Sequence, residues 1–286
     1  MKKEKIKLIF EDHWDEFAEL YRYKIRKNVF REVEKMMECG SLNNGYIEYK
    51  CEDCGDIKRV GFTCKSRFCT SCGKVHVDQW VEELTARLIR CKHRHMVFTI
   101  PEDLREFFMK DRKRLSILPK YAAEVLKSWL KERNKKEEFT PGIVSVIHTF
   151  GRDLKWNPHV HILVTEGAVG NETQWKKIDY FPYKVLRKRW QKLLLDAVEK
   201  EIGKRKAKKL KDKMYKKYPE GFYVYGKGEI RSAKAAAKYV GRYTGRPAIS
   251  ESRIIDYDGE YVTFYYERHE DGKRIEEKVH ALEFIK

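Results

Sequence analysis

"PGIVSVIHTFGRDLKWNPHVHILVTEG", residues 141 to 167, decides how the rest of the chain is read. It reads as two strands joined by a turn-rich loop containing Gly151, Asp153, Asn157 and Pro158. Side chains alternate faces along a strand, so His159 and His161 point the same way, with Leu163 next in line. A His-x-His strand without context is more often an amphipathic edge than a site. Antiparallel pairing of the two strands, however, sets His148 across from the histidine pair. Three neutral imidazoles on one sheet face can hold a divalent ion and leave coordination positions open to polarise a phosphate oxygen. Mg²⁺ or Mn²⁺ suits that use, and imidazoles also suit Zn²⁺ or Ni²⁺. His95 is the weaker rival for the third ligand.

Working outward, residues 12–38, 74–92, 102–135 and 183–217 carry helical periodicity. "HRHMVFTIPEDL" reads as a strand stopped by Pro101. "GFYVYGKGEI" is another strand, "RSAKAAAKYVGRYTG" a short helix ended near Gly245 and Pro247, and residues 253–280 alternate as strands. Beyond the cysteines the segments make an α+β pattern. A boundary near residue 92 separates an N-terminal helical, cysteine-bearing module (1–92) from the larger α+β domain (93–286).

Six of the seven cysteines lie between residues 39 and 72. Cys51-x2-Cys54 and Cys69-x2-Cys72 are two knuckles, each followed by a glycine, Gly55 and Gly73, where a tight turn favours φ > 0. Together they supply four thiolates for a tetrahedral structural Zn²⁺. Disulfides are the weaker reading for a chain taken as cytosolic. Cys39 and Cys64 are then spare, as a substitute ligand or as buried thiols. Lys58, Arg59, Lys65, Arg67 and Lys74 around the knuckles suit either a DNA-contacting ribbon or a solvated face.

The 286 residues carry 62 Lys and Arg against 44 Asp and Glu, a net +18, which points to a polyanionic partner, nucleic acid first. No apolar run approaches the roughly 18 residues of a membrane span, and "MKKEKIKLIFEDHWDEF" is no secretory signal. The stretch 204–217, with Lys204, Arg205 and Lys208 among its nine cations, is a candidate for neutralising DNA phosphates, its bland alternative being a solvated charged helix.

A metal needs a reaction partner. In "AAAKYVGRYTGRPAIS", Tyr239 and Tyr243 are four apart and would share one helical face, with Lys238, Arg242 and Arg246 around them to attract phosphate. An aromatic pair is ordinarily core, but small and basic neighbours make an odd core here.

The two Cys-x2-Cys knuckles, then "HTFG", "NPHVHILV" and "KYVGRYTGRPAIS", in that order, resemble the two-tyrosine HUH transposases of the insertion sequence ninety-one family, over roughly residues 35–286. The His148-x10-His159-x-His161 spacing is also similar to that of conjugative relaxases. The chain ends at "KVHALEFIK", where members of the family usually continue, and Asn157 stands where many relatives have histidine. The resemblance implies an HUH endonuclease-like fold, a central antiparallel sheet flanked by helices and preceded by a small helical zinc-binding module, and a prokaryotic, nucleoid-associated enzyme that cleaves and transfers single-stranded DNA. Tyr239 and Tyr243 would be nucleophiles forming a 5′-phosphotyrosine, with catalytic Mg²⁺ or Mn²⁺ on His148, His159 and His161. Its partners would be single-stranded transposon ends and target DNA. A plasmid rolling-circle replication initiator or relaxase shares that chemistry; a non-catalytic zinc-dependent DNA-binding regulator is the other class.

Overall fold

The computed structural model describes residues 4–133, 136–230, 232–241, 243, 248–268 and 271–286. Arg242 and Arg246, expected beside the tyrosines, lie outside the described residues. The chain divides into two compact units: residues 1–79, 152–154 and 245–286 form one, and residues 80–151 and 155–244 the other. The single cut expected near residue 92 therefore does not describe the packing, because the C-terminal strands join the N-terminal helices.

In the first unit, helices α1 (Lys5–Tyr21) and α2 (Lys27–Met37) take up the stretch read as one helix. Strands β1 (Tyr46–Lys50) and β2 (Ile57–Gly61) form an antiparallel hairpin with Cys51 and Cys54 in its turn. Helix α3 (Thr70–Arg87) begins at the second knuckle. Ile6, Ile9, Phe10, Trp14 and Phe17 recur at helical spacing on α1, and that apolar stripe is buried in one core with Val33, Met36, Ile254, Val262 and Phe264. The last three residues belong to the expected C-terminal strands, which form an antiparallel meander. Its strands are numbered β8 (Ile254–Tyr257), β9 (Tyr261–Glu267) and β10 (Arg274–His280) in chain order. No side chain of α1 itself caps the helix; instead the Glu251 carboxylate accepts from the Lys5 and Ile6 amides.

The second unit is built on an antiparallel sheet in the order β4 (Thr140–Phe150), β5 (Trp156–Val169), β3 (His93–Thr99), β7 (Val224–Ile230), with a two-residue β6 (Lys176–Lys177) also pairing β5. One face of this sheet, with Met96, Phe98, Val160, Ile162 and Val164, is sealed into the main core. Helices α4 (Glu102–Lys110), α5 (Ile117–Arg133), α6 (Tyr183–Ile202) and α7 (Lys204–Lys217) supply the rest of that core. The basic stretch breaks between α6 and α7 at Gly203, whose φ of +81° suits glycine and whose amide closes α6 on the Glu199 carbonyl. On the opposite sheet face, α8 (Ala233–Gly241) packs Ala236 and Val240 against Leu163. Among the described residues, no helix is long and apolar enough to cross a membrane.

Candidate functional site

Register decides the site. His148 pairs directly with His159 between β4 and β5, and two residues on, His161 follows on the same face. The three rings offer nitrogens that all lie within 4.8 Å of one another. The β5 rings are fixed from behind. His159 Nδ1 lies 2.6 Å from the Asn157 carbonyl oxygen, to which it donates, leaving Nε2 without a proton and aimed forward. His161 Nδ1 lies 2.9 Å from His95 Nε2, and the two forward Nε2 atoms of His159 and His161 are 3.0 Å apart. Where His161 donates from Nδ1 to His95, its forward Nε2 and that of His159 both offer lone pairs, the form that a shared cation needs.

Electrostatics favour the ligand form. Burial lowers the His148 pKa to about 4, helped by His159. Burial also holds His159 and His161 below the ordinary histidine range, and for His161 the neighbouring rings of His159, His95 and His148 push the same way. Three neutral imidazoles at neutral pH suit a divalent ion. His95, the rival third ligand, instead stands behind His161.

The tyrosines are placed differently from the expected shared helical face. Tyr239 is on α8, but the helix ends at Gly241, and Tyr243 sits in the turn beyond, its amide bonded to the Val240 carbonyl. The turn still brings the rings together, with centroids 6.0 Å apart. Tyr243 lies flat on His161 at 3.5 Å, its plane 12° from parallel, while Tyr239 meets His95 edge-on at 4.6 Å. Both tyrosines therefore face the imidazole cluster. Lys238 is exposed on α8.

The cysteines require a correction. The thiols that come within 4.8 Å of one another are those of Cys39, Cys64, Cys69 and Cys72. Cys51 and Cys54 are exposed and belong to no such set of three or more among the described residues. The reason is the hairpin. Its five-residue register from Tyr46↔Gly61 to Lys50↔Ile57 carries the first knuckle roughly 17 Å along the strands, away from the base where the chain turns toward Cys64. Cys39 closes the gap, since the adjoining Gly40 amide donates to the Phe62 carbonyl at that base. Lys65, with φ of 54°, makes the turn after Cys64, and the Ser66 amide points at the Cys64 sulfur at 3.4 Å. Cys69 and Cys72 bracket the start of α3, where the helix dipole favours thiolate. Burial pushes the Cys69 thiol up to about 11 and raises Cys64 as well. Burial also opposes ionisation of Cys72, but hydrogen bonds from the Cys39 and Cys64 thiols outweigh it and lower its pKa. Four convergent sulfurs in this environment match the donor set of a structural zinc.

Helix α7 presents Lys204, Arg205 and Lys208 exposed, while other cations of the cluster serve the fold. Lys213 and Lys217 each pair with Asp103 of α4 at 2.7 Å, and Lys211 pairs with Asp196 and Glu199.

Comparison with known proteins then decides the kinship. A family model described as "Putative transposase" matches residues 142–286, and one described as "Transposase zinc-binding domain", of the IS91 type, matches residues 9–100. The chain belongs to the IS91 family of transposases. Among relatives, the IS91-family chain is 32% identical over 251 residues to the transposase for insertion sequence element IS801 of Pseudomonas savastanoi pv. phaseolicola, covering 83% of this chain and 60% of that one. It is 28% identical over 249 residues to "Putative transposase y4qJ" of Sinorhizobium fredii, covering 80% and 62%. The chain thus spans about three-fifths of the length of these relatives. No solved structure matches it.

Proposed function

We propose that this IS91-family chain cuts and rejoins single-stranded DNA through tyrosine, as the strand-transfer step of rolling-circle transposition. The observation that carries the reading is the Tyr243 ring stacked on His161 at 3.5 Å, beside three imidazoles whose nitrogens converge. The phenol oxygen of Tyr243 attacks phosphorus and loses its proton to solvent. A P–O bond to tyrosine forms, the bond from phosphorus to the 3′ oxygen breaks, and that oxygen leaves as a hydroxyl after taking a proton. The products are a 5′-phosphotyrosine and a free 3′-OH. Because the ester keeps the bond energy, attack by a second 3′-OH rejoins strands without ATP. Tyr239 offers a second nucleophile while the first link is held, which suits transfer between a donor and a target.

His148, His159 and His161 would hold Mg²⁺ or Mn²⁺, which when bound orients the scissile phosphate and offsets its developing charge. His95 and the Asn157 carbonyl keep the His161 and His159 rings aimed. Lys238, Arg242 and Arg246 would attract phosphate near the tyrosines, and Lys204, Arg205 and Lys208 would neutralise phosphates further along the strand.

The test is covalent-adduct formation on single-stranded oligonucleotides spanning the element's ends, with Mg²⁺ or Mn²⁺. Adducts should carry the 3′-labelled part of the substrate, weaken in each single Tyr→Phe variant and vanish in the double one. An adduct that persists in Y239F/Y243F puts the nucleophile elsewhere and sinks the proposal.

A further inference from the structure

Strand β7 is an edge of the catalytic sheet, and its side chains divide sharply between the two faces. Val224 is fully buried in the main core, as is Phe222 just before the strand. Tyr223 and Tyr225 alternate with them and are 48% and 45% exposed. Register fixes the face they occupy. Tyr225 pairs with Val97, Val97 with His161, and His161 with Val146, which makes one row across the sheet. The Thr99 amide donates to the Tyr223 carbonyl, Thr99 pairs with His159, and His159 with His148, which makes the next row. Each exposed tyrosine therefore ends a row that contains a member of the histidine cluster, on the same face and two strands away. At ~4.8 Å per strand that is about 10 Å, or about three stacked nucleotides at ~3.4 Å each.

The rings are also arranged as a pair. Their planes are 7° from parallel and their centroids 6.3 Å apart. The Arg187 guanidinium of α6 lies over Tyr223 at 4.9 Å from the ring centre and is held there by its Nε donating to the Val224 carbonyl at 3.2 Å. Tyrosine favours strands in any sheet, but two parallel, half-exposed rings with an ordered cation beside the chemistry match the surface on which single-stranded bases stack.

We propose that Tyr223 and Tyr225, with Arg187, form a base-stacking platform for the single strand as it enters or leaves the tyrosine–histidine centre. The platform rests on the reading of single-strand cleavage given above. It binds the π-faces of bases, so it is sequence-tolerant, and it sets how far along the strand the scissile phosphate lies.

The experiment measures binding of fluorescent oligo(dT), without added divalent cation, to wild-type protein and to the Tyr223→Ala, Tyr225→Ala and Tyr223→Phe/Tyr225→Phe variants. Each alanine variant should bind roughly five- to a hundredfold more weakly, and the phenylalanine variant should bind like wild type because it keeps both ring faces. The salt dependence should be unchanged, since no phosphate contact is removed. Moving an abasic site along the oligonucleotide should reveal one or two positions that weaken wild-type binding but not binding by the alanine variants. Alanine variants within twofold of wild type, or an abasic effect that survives in them, overturn the platform while leaving the cleavage reading standing. Wild-type protein that binds no single-stranded DNA overturns both.

Discussion

Replacing Cys39 with serine tests the corrected ligand set directly. In the structure Cys39 Sγ is 3.6 Å from Cys72 Sγ and accepts from the Cys64 amide at 3.3 Å, so the change removes one of four convergent thiolates without disturbing a strand. Structural zinc sites contribute roughly 10–16 kcal/mol near pH 7. If four equivalent thiolates share that, losing one costs about 3 kcal/mol, or roughly a hundredfold in zinc affinity. The site also resists operating with three ligands, because burial raises the pKa of Cys64 and Cys69 and only the ion makes ionising them favourable. The assay is zinc content by elemental analysis of protein purified under reducing conditions, followed by titration against a chromogenic chelator. Cys39→Ser and Cys69→Ser should both lose zinc, with a matching fall in thermal midpoint. Cys51→Ser and Cys54→Ser should keep it. The opposite pattern, zinc lost with Cys51 and retained without Cys39, would refute the assignment and restore the pairing of the two Cys-x2-Cys knuckles.

Three further outcomes are expected. His159→Ala and His161→Ala should each lower DNA cleavage roughly a hundredfold or more while oligonucleotide binding stays within a few-fold, measured by nicking and anisotropy on the same preparations. Neutralising Lys204, Arg205 and Lys208 together should reduce the slope of log K against log salt for single-stranded DNA by about 2, at ~0.7 per phosphate contact; an unchanged slope assigns these side chains to solvation. Asp103 gives a pH signature: the Lys213 and Lys217 ammonium groups, with Tyr218, hold its carboxyl well below the usual carboxylate range. A folded pKa below the unfolded one contributes stability above the unfolded value near ~3.9, which is lost as pH falls below it. The gap in urea midpoint between wild type and Asp103→Asn should therefore be constant at neutral pH and close below about pH 4.

What could be read from the sequence was what local geometry determines. A two-residue period and one antiparallel hairpin are enough to gather His148, His159 and His161, so their convergence was visible in residues 141–167. The cysteine grouping was not, because it depends on how many residues β1 and β2 spend in register before the chain returns. Cys39 and Cys64 carried the only available signal, as thiols left over beside a knuckle. The helical pairing of Tyr239 and Tyr243 failed at Gly241, where α8 ends, yet the turn brought the rings together by another route. The backing of His161 by His95 comes from pairing β3 with β5, which neither segment encodes alone. Nor does periodicity say that the apolar stripe of α1 is completed by residues more than two hundred positions later.

That last separation has a consequence for how the protein comes off the ribosome. The first unit is written in pieces at both ends of the chain, with the histidine-bearing unit inserted between them. At ~5–20 residues per second, the roughly 165 intervening residues take on the order of ten to thirty seconds to synthesise. Throughout that interval Ile9, Trp14 and Phe17 have emerged, while Ile254, Val262 and Phe264 have not yet been made. The histidine-bearing sheet is therefore complete on the nascent chain while the apolar stripe of α1 still lacks these partners. A message cut short after residue 244 would yield the tyrosines and histidines without the partners that bury α1.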